Sequence, residues 1–283
     1  MEESTLVDVS NKIYKLIFYQ EAFAVDEDNQ GYYGLMVQTW DLWRDDTDTW
    51  EDRFFFWDIV REYGQPVLDV GCATGRFILE FLSQGIDTDG VDASEEMLAI
   101  CRNKAKSMGL SPNLYRQKME SLDLPRRYQT ILVPSSTLQL IIDPDLARTA
   151  VRRFFDHLLP GGAFVTPFSF AWQPGDSLDS GWRLVFEKTR PEDGAIVRRW
   201  SHEWREPEKQ VWNAEDRFEI ELDGKIIQTE VQLQTPEGRW YTQEQAVDLF
   251  RQAGFQNIQL FKGFTHEPAQ PDDQTFCVLG FKS

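Results

Sequence analysis

Residues 67–77 read VLDVGCATGRF. Four mostly apolar residues run into a turn of small residues, and the turn runs into a helical pattern. Gly71, Ala73 and Gly75 take alternate positions in it. Small residues let a backbone approach a ligand closely, and the start of the next helix offers free N–H groups. Strand, glycine-studded turn and helix in that order open a parallel βαβ unit, whose ligands bind beyond the carboxyl ends of the strands. The feature restricts the chain to an α/β fold.

The flanking sequence repeats the rhythm. A helix is predicted over Thr49–Tyr63, with Trp50, Phe54, Trp57 and Val60 at three- and four-residue spacing on its apolar face. IDTDGVD reads as a second strand. SEEMLAICRNKAKSMG reads as a helix with Ser94 as N-cap. NLYRQK and YQTILVP read as strands. DPDLARTAVRRFFDHL is a helix with Asp143 as N-cap and Pro144 at its first position, ended by PGG before a fifth strand, GAFVTPFSF. Strands alternating with helices predict a mostly parallel sheet covered on both faces. A further short helix is expected near Ser10 to Gln20, followed by the loop DEDNQGYYG.

The rhythm breaks after Phe170. From Trp182 to Trp240 the chain reads as three to five short strands, with Asp223-Gly224 as a two-residue hairpin turn. It then resumes: Thr242 and Gln245 form a capping box, Gly254 stops the helix, and NIQLFKG and FCVLGFK are two final strands. The expected organisation is an N-terminal lid over residues 1–48, a core over 49–170 and 241–283, and an antiparallel insert over 171–240. The insert is expected to cover a substrate, to form a dimer surface, or both.

Charge narrows the partners. The 283 residues hold 29 Lys plus Arg and 47 Asp plus Glu, a net charge of −18. Such a surface repels phosphate backbones and anionic lipid, so neither nucleic acid nor a membrane is the expected partner. Cys72, Cys101 and Cys277 are too few and too scattered for a disulfide framework, and no metal-ligand spacing exists. The expectation is a cytoplasmic protein without a metal.

The turn chooses among cofactors. Asp92, at the end of the second strand pattern, comes at roughly the 20-residue spacing at which an acid takes a ribose diol. Arg76 stands where the dinucleotide fingerprint has its third glycine. Asp69, in the strand just before the turn, repels a pyrophosphate and suits a ligand carrying an ammonium or sulfonium charge. An NAD(P)-dependent oxidoreductase is therefore disfavoured. A nucleoside joined to a cationic amino acid fits.

In order and spacing, VLDVGCATGRF, DTDGVDASEEMLAICRNKA, FFDHLLPGGAFV and RWYTQEQAVDLFRQAGFQNIQLF resemble the class I S-adenosylmethionine-dependent methyltransferases, over roughly residues 40–170 and 240–283. The insert resembles that of small-molecule members such as the aminosugar N-methyltransferases. The resemblance implies a seven-stranded, mostly parallel Rossmann-like sheet with helices on both faces and S-adenosylmethionine as cofactor. It places Asp69, Gly71, Cys72, Ala73 and Gly75 along the methionine part, and Arg76 at its carboxylate. Asp92 would hold the ribose, with Ala93 and Met97 beside the adenine and Met119 and Glu120 bracketing it. Val133 to Ser136, Ser135 included, would face the methyl group. Trp40 stands where relatives carry the tyrosine of a Tyr-Asp pair. Tyr33, Ser136 and Gln139 are assigned to the substrate. Ala73 departs from the family glycine, a mild change if its φ is negative. Lys118 and Gln129 stand where aspartates are common.

The implied reaction is methyl transfer to a nitrogen or oxygen nucleophile of a small molecule. It needs in-line alignment and a dry site more than a catalytic triad. His202 and Tyr241 are the two weak candidates for a base. Each reads more simply as packing, and His157 reads as structural. The contrasting reading is a non-catalytic cofactor-binding or assembly module on the same fold.

Overall fold

A computed structural model describes residues 32–44, 49–170 and 172–283. The expected helix near Ser10 to Gln20, and most of the proposed lid, lie outside the described residues.

The core follows its local signals. α1 (Gly34–Gln38) and α2 (Glu51–Tyr63) precede β1 (Val67–Val70), α3 (Arg76–Ser83), β2 (Thr88–Asp92), α4 (Glu95–Ser107), β3 (Asn113–Arg116), β4 (Tyr128–Leu132), α5 (Pro144–His157) and β5 (Leu158–Ser169). Ser94 Oγ accepts from Met97 N–H at the start of α4, and Asp143 accepts from Asp145 N–H at the start of α5. α6 (Gln243–Ala253) carries both halves of its capping box. It leads into β10 (Gln256–Lys262) and β11 (Thr275–Phe281). These seven strands form one sheet in the order β10-β11-β5-β4-β1-β2-β3. β11 alone runs against its neighbours β5 and β10.

Each face of this sheet is buried because alternate residues serve different layers. Ile131, Phe164 and Val278 pack with α5 and α6 in one cluster, and Leu132, Val165 and Leu279 pack with α2 and α3 in the other. His157 is structural, as its sequence context suggests: it is 3 % exposed, and its Nε2 accepts from Leu124 N–H at 2.9 Å.

The second sheet is the insert, in the order β6-β7-β8-β9, fully antiparallel: β6 (Asp179–Thr189), β7 (Ile196–Glu206), β8 (Val211–Leu222) and β9 (Lys225–Arg239). Asp223 and Gly224, both at positive φ, make the β8–β9 turn. One face of the insert packs Val197, Phe218 and Ile220 against Leu35 and Met36 of α1. The opposite face leaves Trp182, Leu184, Val231 and Leu233 exposed, at 47, 44, 45 and 47 %.

Two local expectations fail. Phe54, placed on the apolar face of α2, is 54 % exposed. The buried face instead runs through Asp52, Phe55, Phe56, Ile59 and Val60. A buried aspartate hid its phase. Asp52 receives both Arg76 amino groups at 2.9 and 2.6 Å, which bolts α2 onto the start of α3. The helix before PGG also stops earlier, at His157, and Pro160, Gly161 and Gly162 belong to β5.

Removing one partner of a buried charge pair strands the other. Asp52→Ala should therefore lower unfolding free energy by about 3 kcal/mol in chemical denaturation; a change within a few tenths would mean that α2 is not held this way.

Candidate cofactor pocket

The β1–α3 loop is shaped from below and from one side. Gly71 and Cys72 N–H both donate to Val91 O, at 2.8 and 3.1 Å, which ties the loop to β2. Asp92 completes the tie. Its Oδ2 accepts from Ala73 N–H at 2.9 Å and its Oδ1 from Ser94 N–H at 2.8 Å, so one carboxylate joins the loop to the start of α4. Gly75 sits at φ 98°, and a Cβ there would lie 2.7 Å from Cys101 Sγ. Ala73 sits at φ 47°, not at the negative value that would make its replacement of glycine mild. A left-handed alanine carries roughly 1–2 kcal/mol of strain.

Above this loop lies a cavity of about 600 Å³. Its wall includes Trp40, Asp69, Gly71, Cys72, Ala73, Gly75, Arg76, Asp92, Ala93, Met97, Met119 and Ser135, all expected from the sequence. Ser135 and Ser136 follow β4 at φ 56° and 57°. Consecutive left-handed serines at a strand end are strained, and such strain gathers at functional sites.

Asp69 lies beneath the cavity, 1 % exposed. Its Oδ2 accepts from Ile78 N–H at 3.1 Å, while its Oδ1 has no partner among the described residues. Burial, partly opposed by Arg76, pushes its carboxyl up to about 7. A group arriving with positive charge would supply what that oxygen lacks.

Other expected residues are engaged elsewhere. Arg76, on the wall, is already paired with Asp52 and lies 4.1 Å over the Phe77 ring. Glu120 does not line the cavity; its neighbour Met119 does. Gln139, fully buried, donates to Ser169 O and Arg239 O and accepts from Ser169 N–H, so it clamps three segments and is off the wall. Ser136 Oγ lies 3.4 Å from Ser169 Oγ. Tyr33 offers its carbonyl to Gln232 Nε2, and its neighbour Tyr32 lines the cavity instead. His202 pairs with Asp179 at 2.9 Å between Trp182 and Trp204 on the insert. Tyr241 packs edge-on against Phe168, and burial pushes its hydroxyl up to about 12. Neither of the two is on the cavity wall.

Tyr32, expected with Tyr33 and Trp40 to close over the site, is on the wall, which also contains residues that the sequence did not single out: Asp41, Arg44, Thr74, Lys104 and Thr137. Asp41 accepts from Thr74 Oγ1 at 2.6 Å and from Lys104 Nζ at 3.2 Å. The Arg44 guanidinium lies 4.0 Å over Trp40 and 4.4 Å over Trp43, and burial pulls it down to about 10. Only the Trp40-Asp41 adjacency hinted at this group. The rest come together through contacts between distant segments.

Residues 67–162 match the family model described as a methyltransferase domain. This is a class I S-adenosylmethionine-dependent methyltransferase fold. The chain is 29 % identical over 152 residues to a dTDP-3-amino-3,4,6-trideoxy-alpha-D-glucopyranose N,N-dimethyltransferase of Streptomyces venezuelae, covering 53 % of this chain and 60 % of that one. It is 30 % identical over 102 residues to a carboxy-S-adenosyl-L-methionine synthase of Nitratiruptor, covering 35 % and 41 %. The chain spans about half the length of the curated relatives it matches. Two solved structures share the fold. An S-adenosylmethionine-dependent methyltransferase from Clostridium acetobutylicum gives a TM-score of 0.69 at 22 % identity, covering 87 % of this chain and 96 % of that one. Streptomyces venezuelae DesVI gives 0.68 at 23 %, covering 89 % and 100 %. No helix among the described residues is long and apolar enough to cross a membrane.

Asp69 also sets a pH dependence. Its carboxyl rises from an ordinary 3.8 to about 7 on folding. The neutral form is favoured in the fold, so its contribution to stability is full below about pH 4 and is lost as pH rises to about 7. The melting temperature of Asp69→Asn relative to the parent protein should therefore climb between pH 4 and pH 7 and level off above it. A pH-independent difference in calorimetry would remove the assignment.

Proposed function

We propose that the protein is an S-adenosylmethionine-dependent methyltransferase acting on a nitrogen or oxygen nucleophile of a small molecule by in-line displacement. The observation that carries this reading is the pairing of Asp92 and Asp69 across one loop. Asp92 holds the loop from the end of β2 and still lines the cavity, as a ribose-binding acid must. Asp69 leaves a buried oxygen unpartnered beneath the same cavity. Gly71, Cys72, Ala73 and Gly75 would hold the methionine part, and Ala93, Met97 and Met119 the adenine end. When bound, the cofactor supplies an activated sulfonium methyl group.

The chain's own residues orient and enclose the reactants. Tyr32, Trp40, Trp43 and Phe186 form a continuous aromatic run from the cavity to the insert sheet, with ring centroids 5.1 to 6.2 Å apart. That run gives the described part of the N-terminal segment and the insert the character of a cover that excludes water from the acceptor. A small-molecule acceptor agrees with the net charge of −18 and with the sugar-modifying relative. Three buried free thiols fit a reducing compartment such as the cytoplasm.

The outer face of the insert supports a homodimer. Trp182 and Leu233 lie in one cross-strand row with His202 and Glu215 between them, and Leu184 and Val231 lie in the next. An exposed apolar stripe of that kind is a protein-interaction surface.

S-adenosylhomocysteine should bind in isothermal titration calorimetry, and Asp92→Ala should weaken it by roughly tenfold or more. Absence of binding at millimolar ligand, or tighter binding of NADH, would defeat the reading. Sedimentation velocity should show a dimer that Trp182→Glu with Leu233→Lys converts to monomer. A parent protein that sediments as a monomer would remove the dimer but not the activity.

A further inference from the structure

The cations on the cavity wall are unequally matched. Arg53 is held by Glu80, Arg76 by Asp52 and Lys104 by Asp41. Arg44 lines the same cavity, but no ion pair or hydrogen bond joins it to another side chain among the described residues, and its Nε is buried without a partner. Its guanidinium instead lies 4.0 Å over Trp40, 4.4 Å over Trp43 and 5.6 Å over Trp50. Aromatic faces attract a guanidinium, yet they accept none of the N–H groups that lie in its plane. Buried donors left over in this way mark a place where something further completes the bonding.

Two other guanidiniums share these rings. Arg199 of β7 lies 5.5 Å over Trp43, and Arg76 lies 5.2 Å over Trp50. Each is already neutralised through two bonds, Arg199 by Asp216 and Arg76 by Asp52. One positive charge therefore stays unmatched, and it asks for one negative charge. Burial pulls Arg44 down only to about 10, so it is charged at neutral pH. A flat guanidinium with paired donors fits the two oxygens of a carboxylate.

The cofactor's amino acid also ends in a carboxylate, but the bedding of Arg44 belongs to the acceptor side. Trp40 and Phe186 both pack against the apolar cluster of the insert, and Trp43 stacks on Phe186 of β6 with centroids 6.2 Å apart and planes 14° from parallel. Resting on the methyltransferase reading, we propose that Arg44 receives a carboxylate of the acceptor, so that the substrate class is a small carboxylic acid carrying the nitrogen or oxygen nucleophile. Two parallel bonds fix the direction of the acceptor as well as its place, which in-line transfer requires. The local cation also offsets the field of a chain whose net charge is −18 and which would otherwise repel an acidic substrate.

The test uses the full chain in isothermal titration calorimetry with S-adenosylhomocysteine present, and with benzoate, benzamide and phenyl phosphate as probes of similar shape. The parent protein should bind benzoate about tenfold more tightly than benzamide. Arg44→Gln should lose that preference, and Arg44→Lys, which keeps the charge but not the paired donors, should retain only part of it. Benzamide should bind all three proteins alike, which shows that the site still forms in the variants. A preference that is absent from the parent protein, one that survives in Arg44→Gln, or tighter binding of phenyl phosphate than of benzoate overturns the proposal. The cofactor's own carboxylate is read by the affinity ratio of S-adenosylhomocysteine to methylthioadenosine, which lacks the amino acid end. That ratio should be the same in Arg44→Gln as in the parent protein; a ratio that falls with Arg44 places the guanidinium on the cofactor and also overturns the proposal. Failure of S-adenosylhomocysteine to bind the parent protein would overturn the methyltransferase reading and leave the benzoate comparison, repeated without it, readable on its own.

Discussion

The site depends on one carboxylate with two jobs. Asp92 accepts from Ala73 N–H and from Ser94 N–H, so the loop after β1 and the start of α4 share a single anchor. Without it, the left-handed conformation at Ala73 would have no compensating bond, and the cavity would lose its inner edge. The same anchor reaches the N-terminal segment, because Ser94 Oγ donates to Tyr32 O at 2.8 Å. Charge-assisted bonds to backbone N–H groups are strong and directional, and here they fix the backbone that faces the ligand.

Around that anchor, buried charge is distributed unequally. Asp52 and Asp216 are each matched by an arginine through two bonds, whereas Asp69 and Glu237 are not matched by a cation to which they are bonded among the described residues. The first two are positioning groups that fasten α2 to α3 and β7 to β8. The second two are both pushed up to about 7, one beneath the cavity floor and one beside Tyr32. An unmatched buried acid is costly, and Asp69 carries that cost beneath the cavity, where a cationic ligand would relieve it.

Much of the sheet was legible in the chain because its signals are local. The caps at Ser94, Asp143 and Thr242 and the Asp223-Gly224 turn act over two to four residues, and each stands where its pattern predicts. The phase of α2 was not legible, since Asp52 reads as polar surface until Arg76 is known to meet it. Gln139 shows the converse. Beside the strand end it reads as a substrate contact, yet its side-chain bonds go to Ser169 and Arg239, 30 and 100 residues away.

By itself, the sequence determined the α/β class, the place of the ligand loop and the acids at the ends of β1 and β2, because strand period, glycine spacing and caps act within one βαβ unit. The tertiary structure alone decided which side chains close that loop into a cavity. Tyr32 and Arg44 reach the cavity wall only when the N-terminal segment lies beside the loop, and the left-handed Ala73 is tied by its N–H to Asp92, 19 residues on. Contacts between distant segments depend on shape and on the matching of buried charge, and no short window of residues encodes either.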